Sequence, residues 1–149
     1  MPGSLSRCVA GLCLALCLAG CLEPGDPLLA TRDRTPPTVR ETLPGDLERH
    51  ARTRPLRFVF SEPMDPRSVR PGISFLLGRD QVPLEIEIPP PGPDPAPVAI
   101  AQPWEVVALP ASGSLEPDST YTLSFRTILT DTAGNALERE HRVTFFTLP

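Results

Sequence analysis

From Thr38 onward, apolar and polar side chains alternate in short runs. Leu56, Phe58 and Phe60 are interleaved with Arg57 and Val59. Val82, Leu84, Ile86 and Ile88 are interleaved with Pro83, Glu85 and Glu87. Tyr121, Leu123 and Phe125 flank Thr122 and Ser124, and Val143 and Phe145 share one face of the run 141–147. A period of two is the signature of a strand with one buried face. Further runs at 39–43, 73–77 and 104–109 bring the total to about seven. Gly, Pro and Asp breaks separate them, so the pattern predicts an all-β chain folded as an antiparallel β-sandwich. Its expected core is Leu56, Phe58, Phe60, Trp104, Tyr121, Leu123, Phe125, Val143 and Phe145.

One helical signal interrupts the strands. Asp65 is an N-cap residue, and Pro66 after it suits the first helical position, where no N–H is needed. A short helical turn is therefore expected over 66–70, stopped by Pro71-Gly72. Six of the nine residues from Pro89 to Pro97 are proline. Proline donates no ladder hydrogen bond, so this segment is expected to be a polyproline-like loop between strands. Leu115, Pro117 and Tyr121 have the L-x-P-x-x-x-Y spacing of a tyrosine corner, in which the phenol ring packs inward and its hydroxyl bonds to upstream backbone. That gives Tyr121 a structural role, with an exposed binding tyrosine as the competing reading.

The N-terminal region has a different pattern. Val9 to Ala19 is a continuous apolar run behind Arg7, well short of the ~20 residues that cross a bilayer. It ends in Leu18-Ala19-Gly20-Cys21, which resembles the lipobox of bacterial lipoproteins. The resemblance implies that residues 1–20 are a signal peptide, that Cys21 carries lipid such as palmitate, and that residues 21–35 tether a domain spanning 36–149 to a membrane. Leu22, with no acid beside it, points to the outer membrane. A plain secretory peptide is the alternative, and it leaves Cys21 as a lone exported thiol.

The four cysteines are at 8, 13, 17 and 21. The proposed domain therefore has no disulfide and no zinc-ligand pattern. Arg7 belongs to the signal, so 13 of the 14 basic residues remain against 18 acids. No basic stripe appears, which argues against nucleic-acid binding. All of the basic residues are arginine and none is lysine.

Candidate chemistry is thin. Glu62 and Asp65 form a carboxylate pair, but Asp65 is better placed as a helix cap and no histidine adjoins them. Asp131 and Asn135 supply oxygens around a turn in which Gly134 or Asn135 is expected to take positive φ. Calcium needs six to eight oxygens. With only Glu62 or Asp65 as distant helpers, no metal is expected here, and no cofactor motif appears. His50 and His141 are both expected to be exposed, outside any triad. Trp104 is read as core rather than as a sugar-stacking platform. Arg49, Arg52, Arg54 and Arg57 are read as a solvated loop face, with a weak anionic contact as the sharper alternative.

In series, Thr35-Pro36-Pro37-Thr38-Val39, Phe58 to Asp65 (FVFSEPMD), Tyr121-Thr122-Leu123, Asp131 to Leu137 (DTAGNAL) and Phe145-Phe146-Thr147 resemble the bacterial Ig-like domain first described in S-layer proteins. The likeness runs from Thr35 to Thr147. It implies a seven-stranded Ig-like sandwich used as a spacer or adhesive module on bacterial surfaces. The proline-rich insertion and the single domain depart from that pattern. The function expected is a non-enzymatic, lipid-anchored envelope module that meets the membrane through Cys21 and, beyond it, an envelope protein or polysaccharide. Two alternatives are a carbohydrate- or protein-binding module using the proline-rich loop and Trp104, and a small metal-dependent hydrolase.

Overall fold

The alternation of side chains becomes two stacked sheets. The structure, a computed structural model, describes residues 33–89 and 103–149. Cys21, residues 1–20 and most of the proline-rich segment, for which the sequence carries expectations, lie outside the described residues. In chain order the elements are β1 (Val39–Leu43), β2 (Arg49–His50), β3 (Leu56–Phe60), α1 (Pro66–Gly72), β4 (Ile73–Leu77), β5 (Asp80–Gln81), β6 (Leu84–Glu87), β7 (Trp104–Pro110), β8 (Thr120–Phe125) and β9 (His141–Thr147). One sheet has the order β1-β3-β7-β6 and the other β2-β9-β8-β4-β5. Seven of these strands have four or more residues; β2 and β5 are two-residue additions at the edges of the second sheet.

Parity decides what faces inward. Leu56, Phe58 and Phe60 on β3, Val106 and Ala108 on β7, Tyr121, Leu123 and Phe125 on β8, and Val143 and Phe145 on β9 are all buried. The sheets meet through rings. Phe58 and Phe60 from the first sheet set their faces edge-on against Phe125 of the second, at 5.1 and 5.9 Å between centroids. Within the second sheet, Phe75, Tyr121 and Phe145 stack nearly parallel, with centroids 5.0 to 6.0 Å apart. Such pairs contribute beyond the area they bury, by about 0.5–1.5 kcal/mol each. Trp104 is 8% exposed and tilts against Phe60. This removes the exposed ring on which the sugar-stacking alternative depended.

The expected run 82–88 divides. Asp80 and Gln81 pair with β4, and Val82 still donates to the Phe75 carbonyl. The chain then crosses at Pro83 to join β7 in the other sheet as β6. Proline permits the switch because a ladder hydrogen bond at that residue is impossible in any case.

Asp65 begins α1 with extended dihedrals, and its Oδ1 accepts the Arg67 N–H at 3.0 Å. The helix does not stop at Pro71 as expected. It runs through Pro71 to Gly72 and is closed by the Ile73 N–H on the Val69 carbonyl. Gly72 is needed there because a Cβ would come within 2.4 Å of Leu129 Cγ.

Register gives the sandwich two distinguishable ends. Val39, Phe60, Trp104, Phe125 and His141 mark the end nearest Asp33, whereas Leu43, Leu56, Leu115, Thr120 and Thr147 mark the other. At the second end the Glu116 N–H donates to the Tyr121 hydroxyl at 2.8 Å. Thr147 ties the same loop down, accepting the Ser119 N–H and donating to the Glu116 carbonyl.

Two measurements check this packing. Phe58→Ala should lower unfolding free energy by about 3–5 kcal/mol in chemical denaturation, the cost of emptying a large core site. A loss under about 1 kcal/mol would place Phe58 on the outer face. Tyr121→Phe should cost about 0.5–1.5 kcal/mol, because the Glu116 N–H loses its acceptor while the ring stack remains.

Candidate functional site

The polar chemistry of the described residues gathers at the Asp33 end. After β3 the chain continues through Ser61 to Asp65 and meets residues 129–132 side by side. Met64 and Asp131 form an antiparallel bridge, the Asp65 N–H donates to the Thr130 carbonyl at 2.8 Å, and Thr132 N–H donates to the Pro63 carbonyl at 3.3 Å. Met64 is buried and acts as the apolar anchor of this crossing. The pairing brings Glu62 beside Asp131, and Asp33 approaches from the entering chain. One carboxylate oxygen from each of Asp33, Glu62 and Asp131 lies within 4.8 Å of the others.

The three acids are held differently. Asp131 is buried, and both of its oxygens are committed to Asn135: Oδ1 accepts the backbone N–H and Oδ2 the side-chain Nδ2, each at 2.8 Å. Asn135 Nδ2 also reaches the Asp33 carbonyl at 3.3 Å. The loop closes through Gly134, whose φ of 89° suits glycine and whose N–H donates to the Asp131 carbonyl. Asp33 is exposed. The Thr35 N–H on its Oδ1 holds its carboxyl below the usual carboxylate range. Glu62 is half-buried, and its carboxyl is pushed up, first by burial, then by the negative charges of Asp131 and Asp33. The Ser61 hydroxyl, which donates to it at 3.3 Å, and Arg40 oppose the shift only in part.

As a metal-binding arrangement this is partial. Three carboxylates can offer hard oxygen ligands suited to calcium or magnesium, but calcium takes six to eight. Asp131 is already satisfied by Asn135. Asp65, the other helper expected from the sequence, is not in the group: its carboxylate caps α1 and pairs with Arg67 at 3.0 Å. Asp33 was missed altogether. It belongs to the segment expected to be a tether, and nothing local to it signals contact with residues 29 and 98 positions further on.

The other candidates disperse. His141 is exposed on β9. His50 is not exposed as expected but 2% exposed, its Nε2 2.9 Å from the Arg54 carbonyl and its ring edge-on to Phe145 at 5.7 Å. The arginine cluster separates: Arg57 pairs with Glu105 on the first sheet, and Arg52 Nε donates to the Leu115 carbonyl at 2.8 Å. A cleft of about 190 Å³ opens between the sheets where the chain crosses at Pro83. Ile73, Phe75, Leu84 and Ile86 line it, with Arg70 at its rim donating to the Ile86 carbonyl. No carboxylate, histidine or hydroxyl is among its lining residues.

Because burial and like charge raise the Glu62 pKa, its ionisation opposes folding as pH rises through the folded-state value. Glu62→Gln keeps an acceptor for Ser61 and removes that charge. Its melting temperature should exceed the wild type's near neutral pH, and the gap should close toward about pH 4, where glutamate protonates in both states. Thermal melts at the two pH values decide it.

A sequence model of the bacterial Ig-like domain matches residues 33–147. No curated protein sequence matches this one. Among solved structures, PcoC, a methionine-rich copper resistance protein from Escherichia coli, is 17% identical; the match covers 76% of this chain and 99% of that one, with a TM-score of 0.53. The N-terminal part of the bacterial S-layer protein SbsC is 16% identical over 76% of this chain and 24% of that one, at a TM-score of 0.50. A longer form, rSbsC(31-844), matches at 17% identity and a TM-score of 0.48, with 74% of this chain spanning 13% of its length. Identities this low carry the fold alone. The family match extends over most of the chain and coincides with the described sandwich, and by it this chain belongs to the bacterial Ig-like domain family.

Proposed function

We propose that this protein is a non-enzymatic Ig-like module of the bacterial cell envelope, anchored by lipid on Cys21, that works as a spacer or binding domain. The observation that carries the reading is an order along the chain. Leu18-Ala19-Gly20-Cys21 precedes a family domain whose first described residues enter at one end of the sandwich, while β9 finishes at the other. Residues 1–20 are then the signal peptide, 21–35 the tether and 36–149 the domain. Extended, the tether reaches on the order of 45 Å. Leu22 after the cysteine favours the outer membrane.

The partner is an envelope protein or polysaccharide rather than a small molecule. The described cleft is shallow in chemistry, and the acidic group at the Asp33 end is largely satisfied internally. The likeness to a copper-resistance protein does not extend to its chemistry. Thioether sulfur selects soft Cu(I), but this chain has two methionines, and Met64 is buried in the core.

The absence of lysine makes the anchor testable by simple chemistry. After signal cleavage the α-amino group of Cys21 is the one primary amine left in the chain. If it is acylated while the thiol is lipidated, amine-reactive reagents should fail to label the denatured mature protein. A protein carrying only the thioether lipid takes one label. Cys21→Ser should move the protein from the membrane fraction to the soluble one. Retention of that variant on salt-washed membranes would show that the lipid is not the anchor.

A further inference from the structure

Residues 46–54 lie along β9 as a strap. Within it, β2 pairs with β9 in parallel, whereas the other described ladders are antiparallel. The strap is stitched on by the Thr144 N–H to Asp46 Oδ1 at 2.9 Å, the Leu47 N–H to the Thr144 carbonyl at 2.6 Å, the Phe146 N–H to the Glu48 carbonyl at 2.9 Å and the Leu148 N–H to the His50 carbonyl at 3.0 Å. Beyond β2, Arg52 and Leu115 exchange two further bonds.

Two features of the strap oppose its closure. Leu47 has a φ of 60°, a left-handed conformation unfavourable for a branched side chain, and it is 66% exposed, so packing returns little. His50 is the strap's buried polar group. Its Nε2–H satisfies the Arg54 carbonyl, which fixes the neutral tautomer with the hydrogen on Nε2. A second proton, on Nδ1, would place a full charge against the Phe145 ring edge.

We propose that residues 46–54 form an acid-labile latch: protonation of His50 lets the strap leave β9 and bares the outer edge of that strand.

The charges around the ring favour this. Burial acts first and holds the imidazole below its usual pKa; Arg54 disfavours a second positive charge, while the bond to its carbonyl and the Glu48 carboxylate work against the shift. Asp46 is engaged by the Thr144 N–H, and Glu48 Oε2 by the Gly45 N–H. From β9 the ring meets Phe145, and Thr147 is the register partner of His50; neither ionises. Glu116 and Asp118 are the ionisable groups of the loop that Arg52 ties to the strap, the Asp118 N–H reaching the Leu148 carbonyl at 3.5 Å, and Tyr121 follows on β8. A base whose folded-state pKa is depressed contributes no pH dependence above its free value of about 6.5, and its stabilising effect is lost as pH falls below that. The strap, as the element that holds His50, is where the loss is felt. β9 keeps its other neighbour, β8, so the sandwich remains closed while its edge opens.

Hydrogen–deuterium exchange on the full chain, corrected for intrinsic pH dependence, tests this between pH 7 and 5. Protection in peptides covering 46–54 and 144–149 should fall below about pH 6.5, by up to about tenfold per pH unit for one proton. Protection across 120–125, on β8, should hold. His50→Gln keeps a side-chain donor for the Arg54 carbonyl, keeps Asp46 and Glu48, and does not titrate, so its strap should stay equally protected throughout. A strap that stays protected in acid overturns the proposal. So does one that opens only in step with 120–125, or a His50→Gln strap with the same pH response. Should that variant not fold, the wild type decides alone: the midpoint of opening must coincide with the His50 titration read by NMR, and separate midpoints overturn the latch.

Discussion

The rest of the structure depends on how Phe125 is shared. It takes Phe58 and Phe60 edge-on from the opposite sheet and approaches His141 along its own. With no cysteine beyond position 21, no disulfide crosses between the sheets. The ring contacts and the aliphatic residues around them must define both the spacing of the sheets and their alignment. The tyrosine corner, the helix cap and the Asp131 loop then fasten the ends of a sandwich whose middle is held by packing alone.

Strands proved legible because a half-buried strand records its environment every second residue. β1, β3 and β4 fall where alternation and breaks put them, and β7, β8 and β9 lie within a residue of the expected runs. Tyr121 and Asp65 were legible for another reason: their partners lie within a few positions, so spacing encodes the contact. His50 was not. Its neighbours in sequence are arginines and a glutamate, which read as a solvated loop, but the surface that buries it is β9, nearly a hundred residues on. The same holds for the grouping of Asp33, Glu62 and Asp131, which the pairing at Met64 and the entering chain held at Asn135 create together. Pro71 misled in the opposite direction. Local rules stop a helix there, yet the helix reaches Gly72 and the Ile73 N–H closes its last turn across Pro71.

The site chemistry follows one pattern. Polar groups that come together are mostly satisfied by each other: Asp131 by Asn135, Asp65 by its own helix, Arg52 by Leu115, Arg70 by the edge of β6. Glu62 and His50 are the two described residues whose pKa is displaced first by burial, and they sit at opposite ends of the sandwich. Separated acid and base groups of this kind tune stability with pH.

The start of β1 and the finish of β9 lie at opposite ends of the sandwich, and this has a mechanical consequence. Tension applied between Val39 on β1 and Thr147 on β9 runs along the strands instead of across them. The hydrogen bonds joining β1 to β3 and β9 to β8 are then loaded side by side in shear, and several must break together before either strand moves. A domain connected through two strands at the same end would instead open one bond at a time, like a zipper. Resistance to pulling is therefore a property of where this sandwich is entered and left, and it needs no disulfide.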